Sequence, residues 1–157
     1  MILQLLKSGN VHRNRQGGVT MIELMVVLVI VSIIATVAYP SYTQFVVKSK
    51  RGAGSSMLLQ VADRQQQFFM DNKQYAAVLT NLGFPSDPFM ISDDGSFLGA
   101  SDSDRVYNVS LTNVTATTYT VTATPQLTQA SKDTKCGNLT LTHAGVKGQS
   151  GSSGDCW

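Results

Sequence analysis

The stretch QGGVTMIELMVVLVIVSIIATVAYPSYTQFVV, residues 16–47, decides the fold, because over its whole length it carries one formal charge, Glu23. From Leu24 to Ala38 the side chains are apolar apart from two hydroxyl residues, Ser32 and Thr36. Such hydroxyls can bond back to carbonyls one turn earlier in a helix. With the few residues directly before it, the segment is long enough to cross a bilayer core of roughly 30 Å as an α-helix. The stretch therefore predicts a membrane-spanning helix.

Basic residues before this span predict its orientation. Arg13 and Arg15 precede the apolar segment, so the positive-inside rule places the N-terminus in the cytoplasm and the rest of the chain outside. A cleaved secretory signal that ends at the small residues 36–38 is the alternative. Glu23 argues against that alternative, because a carboxylate in an apolar segment is costly to insert and usually has a functional partner.

Charge restricts the partners of the chain. Its 157 residues include 12 Lys and Arg against 10 Asp and Glu, but Lys7, Arg13 and Arg15 all precede Gly18. Without these three, 9 cations stand against 10 acids, so the remaining chain is nearly neutral. Binding to nucleic acid usually leaves a basic footprint. The remaining cations are scattered apart from two small groups, Lys48, Lys50 and Arg51 in one and Lys132, Lys135 and Lys147 in the other, so charge alone does not predict DNA as a partner.

The segment Gly18-Val19-Thr20-Met21-Ile22-Glu23-Leu24 resembles the type IV prepilin signature. The resemblance implies that a dedicated peptidase and methyltransferase cuts after Gly18 on the cytoplasmic side and methylates the new N-terminus at Val19. It also implies that Glu23 meets the N-terminal ammonium of a neighbouring subunit during assembly. Such a pair makes physical sense, because a buried charge is tolerable when it is paired. Val19 departs from the phenylalanine that the family most often has.

The resemblance divides the chain into three parts. Residues 1–18 are the prepilin leader, residues 19–54 the transmembrane and assembly helix, and residues 55–157 a periplasmic head. Because residues 11–18 read as a complete short leader, we expect translation to start at codon 11.

Two features interrupt the predicted long helix. Pro40 removes a backbone hydrogen bond and should kink the helix, and it lies where type IV pilins have a characteristic proline. Gly52 and Gly54 predict a second flexible point, since glycine weakens a helix by about 1 kcal/mol relative to alanine.

The head is predicted to be α+β. One face of a helix over residues 55–70 is apolar at helical spacing, whereas Leu59 and Met70 lie off this face. Apolar and polar residues then alternate in three runs, over residues 107–111, 119–123 and 139–142, as in an antiparallel sheet with one buried face. The helix supplies the cover for that face, which gives a long N-terminal helix packed on an antiparallel sheet. The face of the helix over residues 55–70 that covers the sheet consists of Leu58, Val61, Ala62, Gln65, Phe68 and Phe69.

Residues 83–104 are predicted to form a long connecting loop, because glycine, proline, serine and aspartate dominate them. Asp93, Asp94, Asp102 and Asp104 lie in this loop, but the spacing of a calcium-binding loop is missing. A solvated acidic loop without metal is the prediction.

Two cysteines, Cys136 and Cys156, predict a structural role rather than a metal or redox site. They have no C-x-x-C spacing, and the one histidine between them is His143. If the chain is exported, pairing is the default, and it would contribute roughly 3 kcal/mol in the chain-entropy model. The region also resembles the disulfide-bounded C-terminal part of type IV pilins. Residues 145–154 are predicted to form a mobile loop inside it.

The functional prediction is a structural subunit. No catalytic triad or phosphate-binding glycine loop is evident, so neither an enzymatic activity nor a cofactor is predicted. The chain most resembles a minor pilin of the PilE kind, which implies type IV pilus biogenesis, twitching motility and adhesion. Its partners would be other pilins, the prepilin peptidase and the assembly machinery, in the inner membrane first and in the extracellular pilus (fimbrium) afterwards.

Three alternatives remain open. A competence pilin would bind DNA for natural transformation, and a resemblance to competence pilins makes Lys132, Lys135 and Lys147 the candidate phosphate contacts. A type II secretion pseudopilin would share the cleavage signature. The cysteine pair favours the pilus over the pseudopilus. A monomeric membrane-anchored domain would need no cleavage at Gly18.

Overall fold

The computed structural model describes residues 18–157, and the chain divides into two compact units with the boundary between Tyr39 and Pro40. The predictions about residues 1–17, including the leader and its basic residues, lie outside the described residues. Helix α1 (Met21–Asn72) begins in the first unit and ends in the second. It contains Pro40, and the kink there stays a prediction.

The described part of the first unit is an exposed apolar helix. One helix of the described residues is long and apolar enough to cross a membrane, and none of its most apolar window is buried against protein. The hydroxyl of Ser32 donates to the Leu28 carbonyl at 2.7 Å, and that of Thr36 donates to the Ile33 carbonyl at 2.7 Å. Both hydroxyls are thus satisfied within the helix, as an apolar surrounding requires.

The second unit contains an antiparallel sheet and a short helix after the end of α1. Its elements are β1 (Phe89–Ile91), β2 (Phe97–Leu98), β3 (Tyr107–Thr112), β4 (Thr120–Pro125), α2 (Leu127–Lys132), β5 (Leu139–Thr142) and β6 (Lys147–Gln149). The six strands have the order β2-β1-β3-β4-β5-β6. A 3-10 turn at Leu79–Leu82 follows α1, and α2 lies between β4 and β5. The predicted α+β class is confirmed, and so are the three predicted strands, which are β3, β4 and β5.

Two predicted loops were wrong in part, because each contains strand. Residues 83–104 hold β1 and β2, and residues 145–154 hold β6. Strands of two or three residues, set among glycine, proline and aspartate, are too short to show alternation. Pairing with longer neighbours defines them instead, since Phe89 lies opposite Val109 in β3, and Gln149 opposite Leu139 in β5.

The core lies between the sheet and the second half of α1, as the periodicity of that helix predicted. Leu58 and Val61 are fully buried, whereas Leu59 and Met70 are exposed. Gln65 is also fully buried, and its side-chain amide bonds both backbone groups of Ala76, at 2.8 and 3.0 Å. This pairing satisfies a buried amide and holds the segment after α1 against the helix.

Gly54 allows close packing and was wrongly predicted to be a flexible point. It is buried, and a Cβ added there would lie 3.0 Å from the Tyr107 ring. A Cβ on Gly52, by contrast, would meet nothing within 4 Å. The absence of a side chain at Gly54 therefore lets α1 approach β3.

This difference predicts opposite effects of one substitution at the two glycines. Gly54→Leu should destabilise the head by about 1–3 kcal/mol, because it overpacks the contact with Tyr107. Gly52→Leu should stabilise it by several tenths of a kcal/mol through helix propensity. Urea unfolding of the full chain in detergent, followed by the fluorescence of Trp157, measures both, since the chain has 1 tryptophan. Equal effects at the two positions would contradict the packing role of Gly54.

Candidate assembly and nucleic-acid-binding sites

The start of α1 holds Glu23 in a reciprocal pair with Thr20. The backbone N–H of Glu23 donates to the Thr20 hydroxyl at 3.3 Å, and the backbone N–H of Thr20 donates to a Glu23 carboxylate oxygen at 3.4 Å. This is a capping box, in which a hydroxyl residue and a glutamate three residues later satisfy two free backbone donors. Sequence reasoning missed it, although Thr-x-x-Glu is its signature. Gly18, Val19 and Glu23 are all exposed, and Glu23 makes no ion pair within residues 18–157.

A disulfide between Cys136 and Cys156 joins the last residues of the chain to the segment before β5. Its Cα atoms are 5.5 Å apart. Backbone bonds continue the contact, because Gly151 N–H donates to the Cys136 carbonyl at 2.9 Å and Ser153 N–H donates to the Lys135 carbonyl at 3.0 Å. Gly151 has to be glycine, since a Cβ there would overlap the Lys135 carbonyl. The predicted bridge is confirmed.

The bridge gathers the three lysines that the sequence suggested as phosphate contacts. Lys132 ends α2, and Lys135 directly precedes Cys136; both are exposed. Trp157 follows Cys156, so the Cα atoms of Lys135 and Trp157 can be at most about 13 Å apart across the bridge. The Lys147 ammonium lies 5.2 Å from the centre of the Trp157 ring. We call Lys132, Lys135, Lys147 and Trp157 the bridge patch.

Trp157 is the member of the bridge patch that sequence reasoning missed. Its indole N–H donates to the Gly148 carbonyl in β6 at 2.9 Å. This bond fixes the ring beside β6, and the ring face then holds the Lys147 ammonium through a cation–π contact. The sequence alone predicts no function for Trp157, because the disulfide brings its neighbours close and they are distant in the sequence.

A buried ion pair supports the patch from inside. Arg51 in α1 donates to both carboxylate oxygens of Asp133, at 2.6 and 3.0 Å, and Asp133 is 1% exposed. The hydrogen bond that Arg51 donates to Asp133 is the main reason that the pKa of Arg51 is raised. Arg51 also donates to the Asp155 carbonyl at 3.4 Å, so it contacts the segments on both sides of the bridge.

The ion pair also affects the charge of the patch. Asp133 lies between Lys132 and Lys135 in the chain. Without Arg51, its negative charge would repel an anion that binds at the bridge patch. Gln129 and the Tyr107 hydroxyl bond the same carboxylate, at 3.0 and 3.5 Å. Burial raises the pKa of Tyr107 to about 12, so this hydroxyl stays neutral. Asp155, which is exposed, is the carboxylate that remains next to the bridge.

The rest of the described chain offers little chemistry. No group of three or more His, Cys, Asp or Glu within residues 18–157 could hold a metal ion. The acidic loop instead bonds itself, since Asp94 accepts from Ser92 and Ser96, which lowers its pKa to about 2. His143 lies beside the rings of Tyr75 and Tyr119, each 6.4 Å from its own.

Comparisons with known proteins identify the class. A model of the prokaryotic N-terminal methylation motif matches residues 13–39. The type IV major pilin protein PilA of Myxococcus xanthus is 35% identical over 70 residues, which are 45% of this chain and 32% of that protein. The type IV major fimbrial protein FimA of Dichelobacter nodosus is 32% identical over 97 residues, 61% of this chain and 58% of that protein. Together with the exposed apolar helix and the antiparallel head, these findings define a type IV pilin, a class of structural subunits.

The family within that class follows from the head. A family model described as "Type IV minor pilin ComP, DNA uptake sequence receptor" matches residues 40–140, and the chain belongs to this family. The match includes Lys132, Lys135 and Cys136, and it ends before Lys147 and Cys156. The chain spans less than two thirds of the length of either relative.

Proposed function

We propose that the chain is a minor pilin that enters a type IV pilus through its N-terminal helix and contacts DNA with the bridge patch. The observation that carries the DNA-binding part is the set of three lysines around one disulfide, in a head that matches a family described as a DNA uptake sequence receptor. A competence role was the alternative in the sequence analysis. The family match now makes it the leading one.

The chemistry of the bridge patch suits the backbone of a nucleic acid. Exposed lysines neutralise phosphates and release counterions, which makes such binding depend on salt. The Trp157 ring positions Lys147. Arg51 neutralises the buried Asp133 carboxylate, which would otherwise repel a phosphate at the patch. Three lysines form a small footprint, so we propose phosphate contacts and assign no base readout to this patch.

The assembly part of the proposal rests on the start of the chain. Cleavage after Gly18 would expose an ammonium on Val19, which pairs with Glu23 of a neighbouring subunit. The chain would first lie in the inner membrane with its N-terminus in the cytoplasm, and then in the extracellular pilus. Relatives named as a major pilin and a major fimbrial protein support a filament. The roles that we propose for this filament are pilus biogenesis, twitching motility and adhesion. A secretion pseudopilin has no observation in its favour.

The DNA proposal predicts a change in the salt dependence of binding. The variant Lys135→Gln/Lys147→Gln should bind short duplex DNA more weakly, with a slope of log K against log salt that is smaller by about one for each lysine that contacts phosphate. The full chain in zwitterionic detergent, measured by fluorescence anisotropy over a salt series, gives this slope.

Lys73→Asn provides the matched control for this experiment. Lys73 is an exposed lysine after α1, and asparagine tolerates its positive φ of 57°. The control should keep the wild-type slope. An unchanged slope in the double variant, or an equal loss in the control, would show that the bridge patch is not where DNA binds.

A further inference from the structure

A cleft at the C-terminal end of α1 is lined by neutral polar groups and an aromatic residue. It has two parts, with volumes of about 270 and 350 Å³, which share Phe68 of α1 and Asn81 of the 3-10 turn. Gln74, Tyr75 and Thr115 also line the first part. Together the two parts fall in the size range of small-ligand sites. We call them the Phe68 cleft.

Hydrogen bonds fix the walls of the Phe68 cleft. The backbone N–H of Tyr75 donates to the Ala116 carbonyl at 3.0 Å, which ties the segment after α1 to the turn between β3 and β4. The buried side chain of Gln65 bonds both backbone groups of Ala76, the next residue along this wall. The cleft is therefore preformed, so a ligand would enter it without first ordering the chain.

Two amides in the cleft are available to a ligand. Gln74 and Asn81 are exposed, and within residues 18–157 neither side chain is hydrogen-bonded to protein. Each amide offers a carbonyl acceptor and an NH₂ donor, and a hydroxyl group can pair with either. Phe68 is half-buried, and the negative face of an aromatic ring attracts C–H groups, which are slightly positive. Hydroxyl groups on a ring with exposed C–H groups are the chemistry of a sugar.

The charges of the cleft do not suit an anionic ligand. Arg64 lines the second part, but its guanidinium already donates to the Leu82 carbonyl at 2.9 Å and lies 4.4 Å from the centre of the Phe84 ring. Asp71 lines the same part, is exposed, and would repel a phosphate, sulfate or carboxylate group. Of the described residues that line the first part, none is charged. A neutral ligand therefore fits both parts.

We propose that the Phe68 cleft binds a neutral oligosaccharide. One sugar ring would stack its C–H groups on Phe68, and its hydroxyls would hydrogen-bond the amides of Gln74 and Asn81. The Asp71 carboxylate would accept a hydrogen bond from a hydroxyl of the next ring. This gives the proposed adhesion role a class of ligand. It uses no residue of the bridge patch and no contact between subunits, so its failure would leave the DNA and assembly proposals as they stand.

A glycan array tests the class of ligand. The full chain in zwitterionic detergent, which carries no sugar, is applied to an array of neutral, sialylated and sulfated glycans and is detected with an antibody against the head. We expect binding to neutral glycans and a background signal for the acidic ones. Binding to no neutral glycan, or a preference for acidic glycans, would overturn the proposal.

Variants at exposed positions test the site. Gln74→Ala/Asn81→Ala should weaken the binding of the strongest neutral glycan about tenfold, because two hydrogen bonds are lost. Gln60→Ala is the matched control, since Gln60 is an exposed amide of α1 that lines neither part of the cleft, and it should bind as the wild type does. Isothermal titration calorimetry measures the three affinities.

Two results of this comparison would contradict the site. One is an equal loss of affinity in the double variant and in Gln60→Ala. The other is an unchanged affinity in the double variant. If that variant is then also missing from sheared pili, the Phe68 cleft is a contact between subunits and not a sugar site.

Discussion

Replacing Glu23 with alanine or with glutamine is expected to keep the chain out of the pilus while the membrane-bound pool remains. Each substitution leaves the Val19 ammonium of a neighbouring subunit without its partner in an apolar surrounding. An uncompensated buried charge costs about 3–5 kcal/mol, which corresponds to a loss of roughly a hundredfold or more in incorporation. Immunoblots of sheared pili and of membrane fractions measure the two pools.

The capping box provides the control that separates two roles of Glu23. Glutamine can fill the same capping position, so Glu23→Gln keeps the cap and removes the charge. Thr20→Val removes the cap and keeps the charge, at a cost of about 1 kcal/mol, and it should assemble almost normally. Normal assembly of Glu23→Gln together with failure of Thr20→Val would show that Glu23 acts on its own helix and that the intersubunit pair is wrong.

Replacing Arg51 with alanine should destabilise the head by about 3–5 kcal/mol, because it leaves the Asp133 carboxylate charged, buried and without its cation. This is a large fraction of the stability of a small domain. Urea unfolding of the full chain in detergent, followed by Trp157 fluorescence, measures the loss. Lys132→Ala changes an exposed cation next to Asp133 and should stay within about 0.5 kcal/mol of the wild type.

A second variant tests the reason for that loss. Arg51→Met/Asp133→Leu removes both charges together and should recover much of the stability, because apolar residues of similar size often replace a buried pair without cost. A loss in Arg51→Ala below about 1 kcal/mol would refute the explanation. So would a double variant that is no more stable than the single one.

The elements that could be predicted from the sequence were the long ones. The apolar run from Leu24 to Ala38 and the buried face around Leu58 and Val61 repeat over enough residues to show a period. The alternating strands β3, β4 and β5 do so as well, which gave the α+β class. β1, β2 and β6 have two or three residues each, and their place in the sheet comes from pairing partners far away in the chain. Gly54 was misread for a related reason, since its contact with Tyr107 is tertiary.

The candidate sites divide in the same way. Gly18, Val19 and Glu23 form a local motif that a short sequence can show, and the cysteine pair follows from its resemblance to other pilins. The neighbours of Trp157 and Asp133 could not be predicted, because the chain must fold before Lys147 meets the indole and Arg51 meets the carboxylate. The capping box at Thr20 was different, since its signature was present in the sequence and was overlooked.

Both edge strands of the sheet are short. An open strand edge can recruit a strand from another chain, and proteins commonly avoid this by keeping edge strands short or covered. Here the edge strand β6 has three residues, and the opposite edge strand, β2, has two. Heads packed side by side at high local concentration would therefore present little edge for strand exchange. Edge strands of this length would help to keep polymerisation ordered rather than amyloid-like.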